Sequence, residues 1–145
     1  MKKYSLKACV FILAALLVNS CKKEQGTGGM ATIRGKIWVR QYDKVFSTLN
    51  YQYAGYDQKV YILYGNTPGL AGSSQDTRTD YQGNFQFQYL QKGDYKIYVY
   101  SADSAAVTGP PVNSTAPQKA IVKEVTISSR KQTEDIGTIT ILINK

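Results

Sequence analysis

The chain has 145 residues, 43% of them hydrophobic and 19% charged, with a formal net charge of +8. That length suits one domain plus a leader, and the composition is too apolar for a disordered charged tail. The basic residues are scattered and no nucleic-acid motif is present, so nucleic acid is not an expected partner. The chain has no histidine, which removes the usual zinc ligand and the usual general base. No metal and no cofactor are expected.

The first element is a leader. "MKKYSLK" is positively charged, and "ACVFILAALLV" is an apolar run too short to span a bilayer but right for the hydrophobic region of a signal. Val18, Asn19 and Ser20 then precede Cys21. This stretch resembles the bacterial lipoprotein signal, in which such a cysteine is acylated on sulfur and becomes the first residue after cleavage. Val18 and Ser20 match that family's pattern, and Asn19 departs from it. The reading is a cleaved helical signal segment at 1–20, a lipid on Cys21, and a flexible polar tether through residue 30. The alternatives are an ordinary secretory signal or an uncleaved anchor. Cys9 would leave with the leader, so the mature chain could form no internal disulfide. Each buried methylene adds about 0.8 kcal/mol, so several acyl chains moor a protein durably where one is marginal. The expected location is the cell envelope, at the outer membrane, with the periplasmic face and the cell surface both open.

From Ala31 onward the pattern is strand. "ATIRGKIWVR" (31–40) alternates, with Ile33, Gly35, Ile37 and Val39 on one side and Arg34, Lys36, Trp38 and Arg40 on the other. Residues 41–58 form an insert rich in tyrosine and are expected as a loop. "QKVYILYG" (58–65) is a second strand, "NTPGLAGSS" (66–74) a loop, and "DTRTD" (76–80) a short edge strand. "GNFQFQYL" (83–90) puts Phe85, Phe87 and Tyr89 on one face. After a turn at Gly93, "YKIYVYS" (95–101) points Tyr95, Ile97 and Val99 inward and Lys96, Tyr98 and Tyr100 outward. A proline-rich loop (107–117) leads to the strands "QKAIVKEVTIS" (118–128) and "EDIGTITILIN" (134–144). The alternation changes phase at Gly137, which predicts a bulge. The expected fold is all-β: a seven-stranded antiparallel β-sandwich over 31–145.

The spacing Asp80, Gly83, Phe85, Phe87, Leu90, Gly93, Tyr95, Ile97, Val99 resembles the carboxypeptidase regulatory-like (transthyretin-like, prealbumin-like) superfamily. "IRGKIWV" and "KVYILYG" are similar to its first strand and its following strand. The resemblance implies a transthyretin-like, Ig-like sandwich acting as an accessory, scaffold or adhesion module. It implies no peptidase, since the family's name comes from a domain that accompanies catalytic ones.

Four groups of residues are candidates for more than packing. Tyr51, Tyr53 and Tyr56 fall in the tyrosine-rich insert, and tyrosine suits sugar stacking or protein contacts. The plainer reading is an extra hairpin or a covered sandwich edge. Outward Trp38, with Tyr98 and Tyr100 outward elsewhere, would mark an interaction surface if exposed together. Lys36, Asn144 and Glu134 have the residue types of a self-formed isopeptide, although the plain reading is a solvated lysine. Asp76 and Asp80 could act as an acid–base pair, but a turn-capping role for Asp80 is the simpler account. The expectation is a lipid-anchored, non-enzymatic structural or binding module, with a membrane partner through Cys21 and a protein or glycan partner. The alternative is a surface glycan binder or adhesin using the tyrosine-rich loop at 50–57.

Overall fold

The computed structural model describes residues 25–65, 74–107 and 116–145. The expected leader (1–20) and Cys21 lie outside these residues, as do most of the loops expected at 66–74 and 107–117. The alternating segments form eight strands: β1 (Thr27–Tyr42), β2 (Leu49–Ala54), β3 (Lys59–Tyr64), β4 (Gln75–Arg78), β5 (Asn84–Leu90), β6 (Gly93–Ala102), β7 (Gln118–Ile127) and β8 (Thr133–Asn144). They build an all-β sandwich of two four-stranded sheets.

One sheet has the order β4-β3-β6-β7 and is antiparallel throughout. In the other, β1 is the spine. Thr32 to Tyr42 pair with β8, while on the opposite edge Thr27 to Lys36 pair with β5 and Trp38 to Tyr42 pair with β2. β5 and β2 therefore lie end to end along one edge of β1. They meet at Ile37, whose N–H donates to the Gly83 carbonyl at 2.8 Å and whose carbonyl accepts from the Gly55 N–H at 2.9 Å. Gly83 sits at φ +81°, and a Cβ there would lie 2.5 Å from the Ile37 carbonyl oxygen. Only glycine fits this join.

The inward set builds the core. Ala31, Ile33, Ile37 and Val39 of β1 pack with Val60 and Ile62 of β3, Phe85, Phe87 and Leu90 of β5, and Tyr95, Ile97 and Val99 of β6. Val125, Ile127, Ile139 and Ile141 complete it from β7 and β8. A buried side chain of this size contributes about 1.5–3 kcal/mol.

The structure corrects the sequence reading at four points. First, the described residues form eight strands and not seven, because "LNYQYA", inside the insert, pairs antiparallel with β1 as β2, which is the extra hairpin given as the plainer reading of its tyrosines. Second, the sandwich is not wholly antiparallel, since β8 runs parallel to β1. The turn after β7 delivers the chain to the start of β1, where the Thr32 N–H donates to the Gln132 carbonyl at 2.9 Å, so β8 has to run alongside β1. Third, the sandwich begins before residue 31. Thr27–Met30 belong to β1, the Gln91 N–H donates to the Gly26 carbonyl at 2.9 Å, and the buried Tyr95 hydroxyl lies 3.4 Å from the Gly26 nitrogen. Fourth, Tyr89 is not inward: it is 68% exposed, while Leu90 is buried. Ala31 faces Leu90 but Ile33 faces Phe87, so β5 carries an extra residue between them. This bulge holds Tyr89 at φ 60° and turns its ring out.

The bulge expected at Gly137 is present. Arg34 faces Asp135 and Lys36 faces Thr138, with Gly137 at φ +71°.

Candidate functional site

Strand alternation divides the aromatic residues that the sequence offered as binding candidates. Trp38 is on the outer face of its sheet, as expected, with the Lys36 Nζ 5.8 Å from its ring centre. It is half-buried between its cross-strand neighbours Ala54 and Thr140. Tyr51 and Tyr53 are on β2, opposite Gln41 and Val39. They therefore share the side of the sheet that Val39 occupies, away from Trp38. Both rings remain exposed, at 67% and 39%. Tyr98 and Tyr100 lie on the outer face of the other sheet. Tyr98 is only 3% exposed there, because Tyr61 stacks on it at 4.9 Å and Tyr100 meets it edge-on at 5.8 Å. Trp38 and these tyrosines form no common surface.

Tyr56 has a different neighbour. It lies in the turn between β2 and β3 and stacks on Tyr81, with ring centres 4.4 Å apart and planes 4° from parallel. The Tyr81 hydroxyl raises the pKa of the Tyr56 phenol, and desolvation and the Asp57 carboxylate push in the same direction. Tyr81 occupies the second position of a β-turn in which the Gly83 N–H donates to the Asp80 carbonyl at 2.9 Å. Asp at the first position and Gly at the fourth are the residues such a turn favours. That signal was readable in "DYQG", but nothing in the sequence paired Tyr81 with Tyr56.

The two turns are braced against each other. Thr79 Oγ1 donates to the Gly55 carbonyl and accepts from the Gln58 N–H at 2.8 Å. The Asp57 N–H donates to the Thr79 carbonyl at 3.2 Å, and Arg78 forms an ion pair with the Asp57 carboxylate at 2.9 Å. Within its own turn, the Asp80 carboxylate accepts from the N–H groups of Gln82 and Asn84, both at 2.8 Å.

Beside this turn a groove of about 800 Å³ runs across β8, β1 and β5 to the Thr77–Asp80 segment. Arg34, Lys36, Asn84, Gln86, Asp135 and Thr138 line it, and the edge of Phe85 lies in its wall. Its charges are largely matched: Arg34 Nε meets Asp135 at 3.1 Å, Arg78 meets Asp57, and Lys36 acts on Asp80. The Asn84 N–H holds the Asp80 carboxyl below the usual 3.8, with the Asn84 side chain, the Gln82 N–H and Lys36 adding to that direction. The Gly137 N–H does the same for Asp135, assisted by Arg34. Both groups are thus ionised anchors at neutral pH, and Asp80 is the turn cap that the sequence indicated. Asp76 pairs instead with Lys59 at 3.5 Å.

The isopeptide geometry is absent. Lys36 is in register with Thr138 while Asn144 is in register with Tyr42, so the two side chains stand about 20 Å apart along the strands. Among the described residues no group of Cys, Asp or Glu is arranged to hold a metal ion.

No protein-family model and no curated protein matches the chain. Two solved structures are similar in part. A provisionally assigned carbohydrate binding protein from Pseudomonas aeruginosa is 14% identical with a TM-score of 0.43, the match covering 83% of this chain and 92% of that one. An (S)-allantoin synthase is 12% identical with a TM-score of 0.41, over 79% of this chain and 42% of that one.

Proposed function

We propose that this chain is a lipid-anchored, non-catalytic binding module of the cell envelope, acylated at Cys21, built on a transthyretin-like sandwich and located at the outer membrane. The observation that carries the binding role is the groove beside the Asp80 turn. Its side chains are fixed on strands and in a braced turn, which suits recognition. Its carboxylates are pulled below their ordinary pKa, and a general acid or base at neutral pH needs the opposite shift.

The anchor reading gains from the early start of the fold. Gly26 is already packed on Gln91 and Tyr95, so four residues, or five Cα-to-Cα steps, separate it from Cys21. At full extension they reach about 17 Å. A lipid on Cys21 would hold that end of the sandwich close to the bilayer. Lys92, Arg130 and Lys131 stand exposed in the turns at the same end. The Tyr56–Tyr81 stack sits at the other end of β5, about 20 Å away, where it would face outward.

A second reading, a surface glycan binder or adhesin, is favoured by one of the three tyrosines expected for it. Tyr56 joins an exposed stack, whereas Tyr51 and Tyr53 do not. The test of the main reading is cell fractionation with mass analysis of the mature chain. Acyl mass on Cys21 and retention in the membrane fraction are expected, with release on Cys21→Ala. An unmodified thiol on a freely soluble chain would end the proposal. Protease digestion of intact cells then reports which side the domain faces.

A further inference from the structure

We infer that the Asp80–Gly83 turn and the adjoining groove form a binding site for a neutral saccharide, with one ring face of Tyr81 as the stacking platform. This deepens the binding-module reading and rests on it. Tyr81 is 81% exposed, although a side chain of this size is normally covered. It is also held in place: Tyr56 stacks on one of its faces at 4.4 Å, and the braces through Thr79, Arg78 and Asp57 fix both turns. An aromatic ring that is open on one side and immobilised on the other costs little to bind with, because its conformational freedom is already lost.

Sugars lay a face of C–H groups on such a ring and offer hydroxyls around their rim. One residue from Tyr81 the groove begins, with the amides of Asn84 and Gln86, the hydroxyl of Thr138 and the carboxylate of Asp80 along it. These are hydroxyl-binding groups. The charge pattern decides between classes of sugar. Arg34 is paired with Asp135, Arg78 with Asp57, and Lys36 lies close enough to Asp80 to lower its pKa. A set balanced in pairs creates little net field, so it does not favour a polyanion. A neutral oligosaccharide is the ligand class that fits.

Trp38 is the chain's single tryptophan, and Lys36, which lies over its ring, also lines the groove. Its emission is read together with titration calorimetry, which registers binding that leaves Trp38 undisturbed. The full chain, in a detergent without a sugar headgroup, is titrated with neutral gluco-, xylo- and manno-oligosaccharides and with uronic-acid oligomers. A saturable change in Trp38 emission or in binding heat with a neutral oligomer, insensitive to salt, is expected. Tyr81→Ala should weaken that binding about tenfold or more at an unchanged melting temperature. Tyr100→Ala, on the outer face of the other sheet, should leave it intact. Binding of uronic-acid oligomers alone, binding of no sugar, or full binding by Tyr81→Ala would each overturn the inference. A chain that ignores all sugars yet carries the acyl groups and co-purifies with a protein overturns this inference and leaves the anchored module standing. A chain that binds a neutral sugar without an acyl group does the reverse.

Discussion

Tyr89 and Phe87 belong to one run of alternating aromatics, yet their side chains meet opposite environments. Phe87 is 1% exposed and is packed between the sheets, so Phe87→Ala removes core contacts and should cost about 3–5 kcal/mol. Tyr89 occupies a left-handed backbone position in water. Tyr89→Gly loses little buried surface and relieves the positive φ, so stability should change by less than about 1 kcal/mol. Urea denaturation of the two variants separates them, and a large loss for Tyr89→Gly would show that the bulge is misplaced. Charge acts at the same scale. The hydroxyl of Ser47 lowers the pKa of Asp43, the Asn84 N–H that of Asp80, the Lys119 ammonium that of Asp103, and the Gly137 N–H that of Asp135. Each carboxyl stays ionised in the fold at a pH where the unfolded chain takes up a proton. Their contribution is therefore complete above the ordinary value of 3.8 and is lost as pH falls through the lowered folded values. The melting temperature should be insensitive to these groups from pH 7 to about 5 and fall below that. Asp80→Asn should flatten the acid limb.

Among the elements, the join of β2 and β5 on β1 is the most constrained. Two strands share one edge only because Gly55 and Gly83 let three backbones meet at Ile37. Gly83→Ala forces a Cβ to 2.5 Å from a carbonyl oxygen at a φ of +81°. Strain and clash together should cost about 2 kcal/mol or more. Because the same glycine closes the Asp80 turn, the variant should also disturb the Tyr56–Tyr81 stack. Amide exchange should rise at Ile37 and Gly83 before it rises in β6. Equal exchange across both sheets would mean that the join is not the weak point.

For the whole molecule, the decisive quantity is the length of chain between Cys21 and the first packed residue. With the lipid proposed on Cys21, the four residues between would allow the sandwich little freedom to leave the membrane surface. Insertion of about ten glycine and serine residues after Glu24 lengthens the root-mean-square reach by roughly 9 Å. On proteoliposomes that carry the acylated protein on their outer surface, that insertion should increase protease cleavage in the turns near Gly26 and leave the Asp80 turn unaffected. Unchanged cleavage would mean that the domain is not held at the bilayer.

Alternation alone determined most of the fold. The period of two in "ATIRGKIWV", "NFQF" and "YKIYV" assigned Ile33, Ile37, Val39, Phe85, Phe87, Tyr95, Ile97 and Val99 to the core, and all of them are buried. It did so because each side chain's face in a strand is set locally by the pleat. The phase break at Gly137 was legible for the same reason. The bulge at Tyr89 was not, because the run "FQFQYL" keeps its aromatic rhythm and only the partner strand shows that the register has slipped. Direction and adjacency were equally hidden. That β8 runs parallel to β1, that "LNYQYA" finds an edge beside β5, and that Tyr56 meets Tyr81 all depend on residues far apart in sequence. Sequence pattern fixes which way a side chain points relative to its own strand. Which strand lies next to it, and hence which side chains form a site, is decided only when the two sheets close over their shared core.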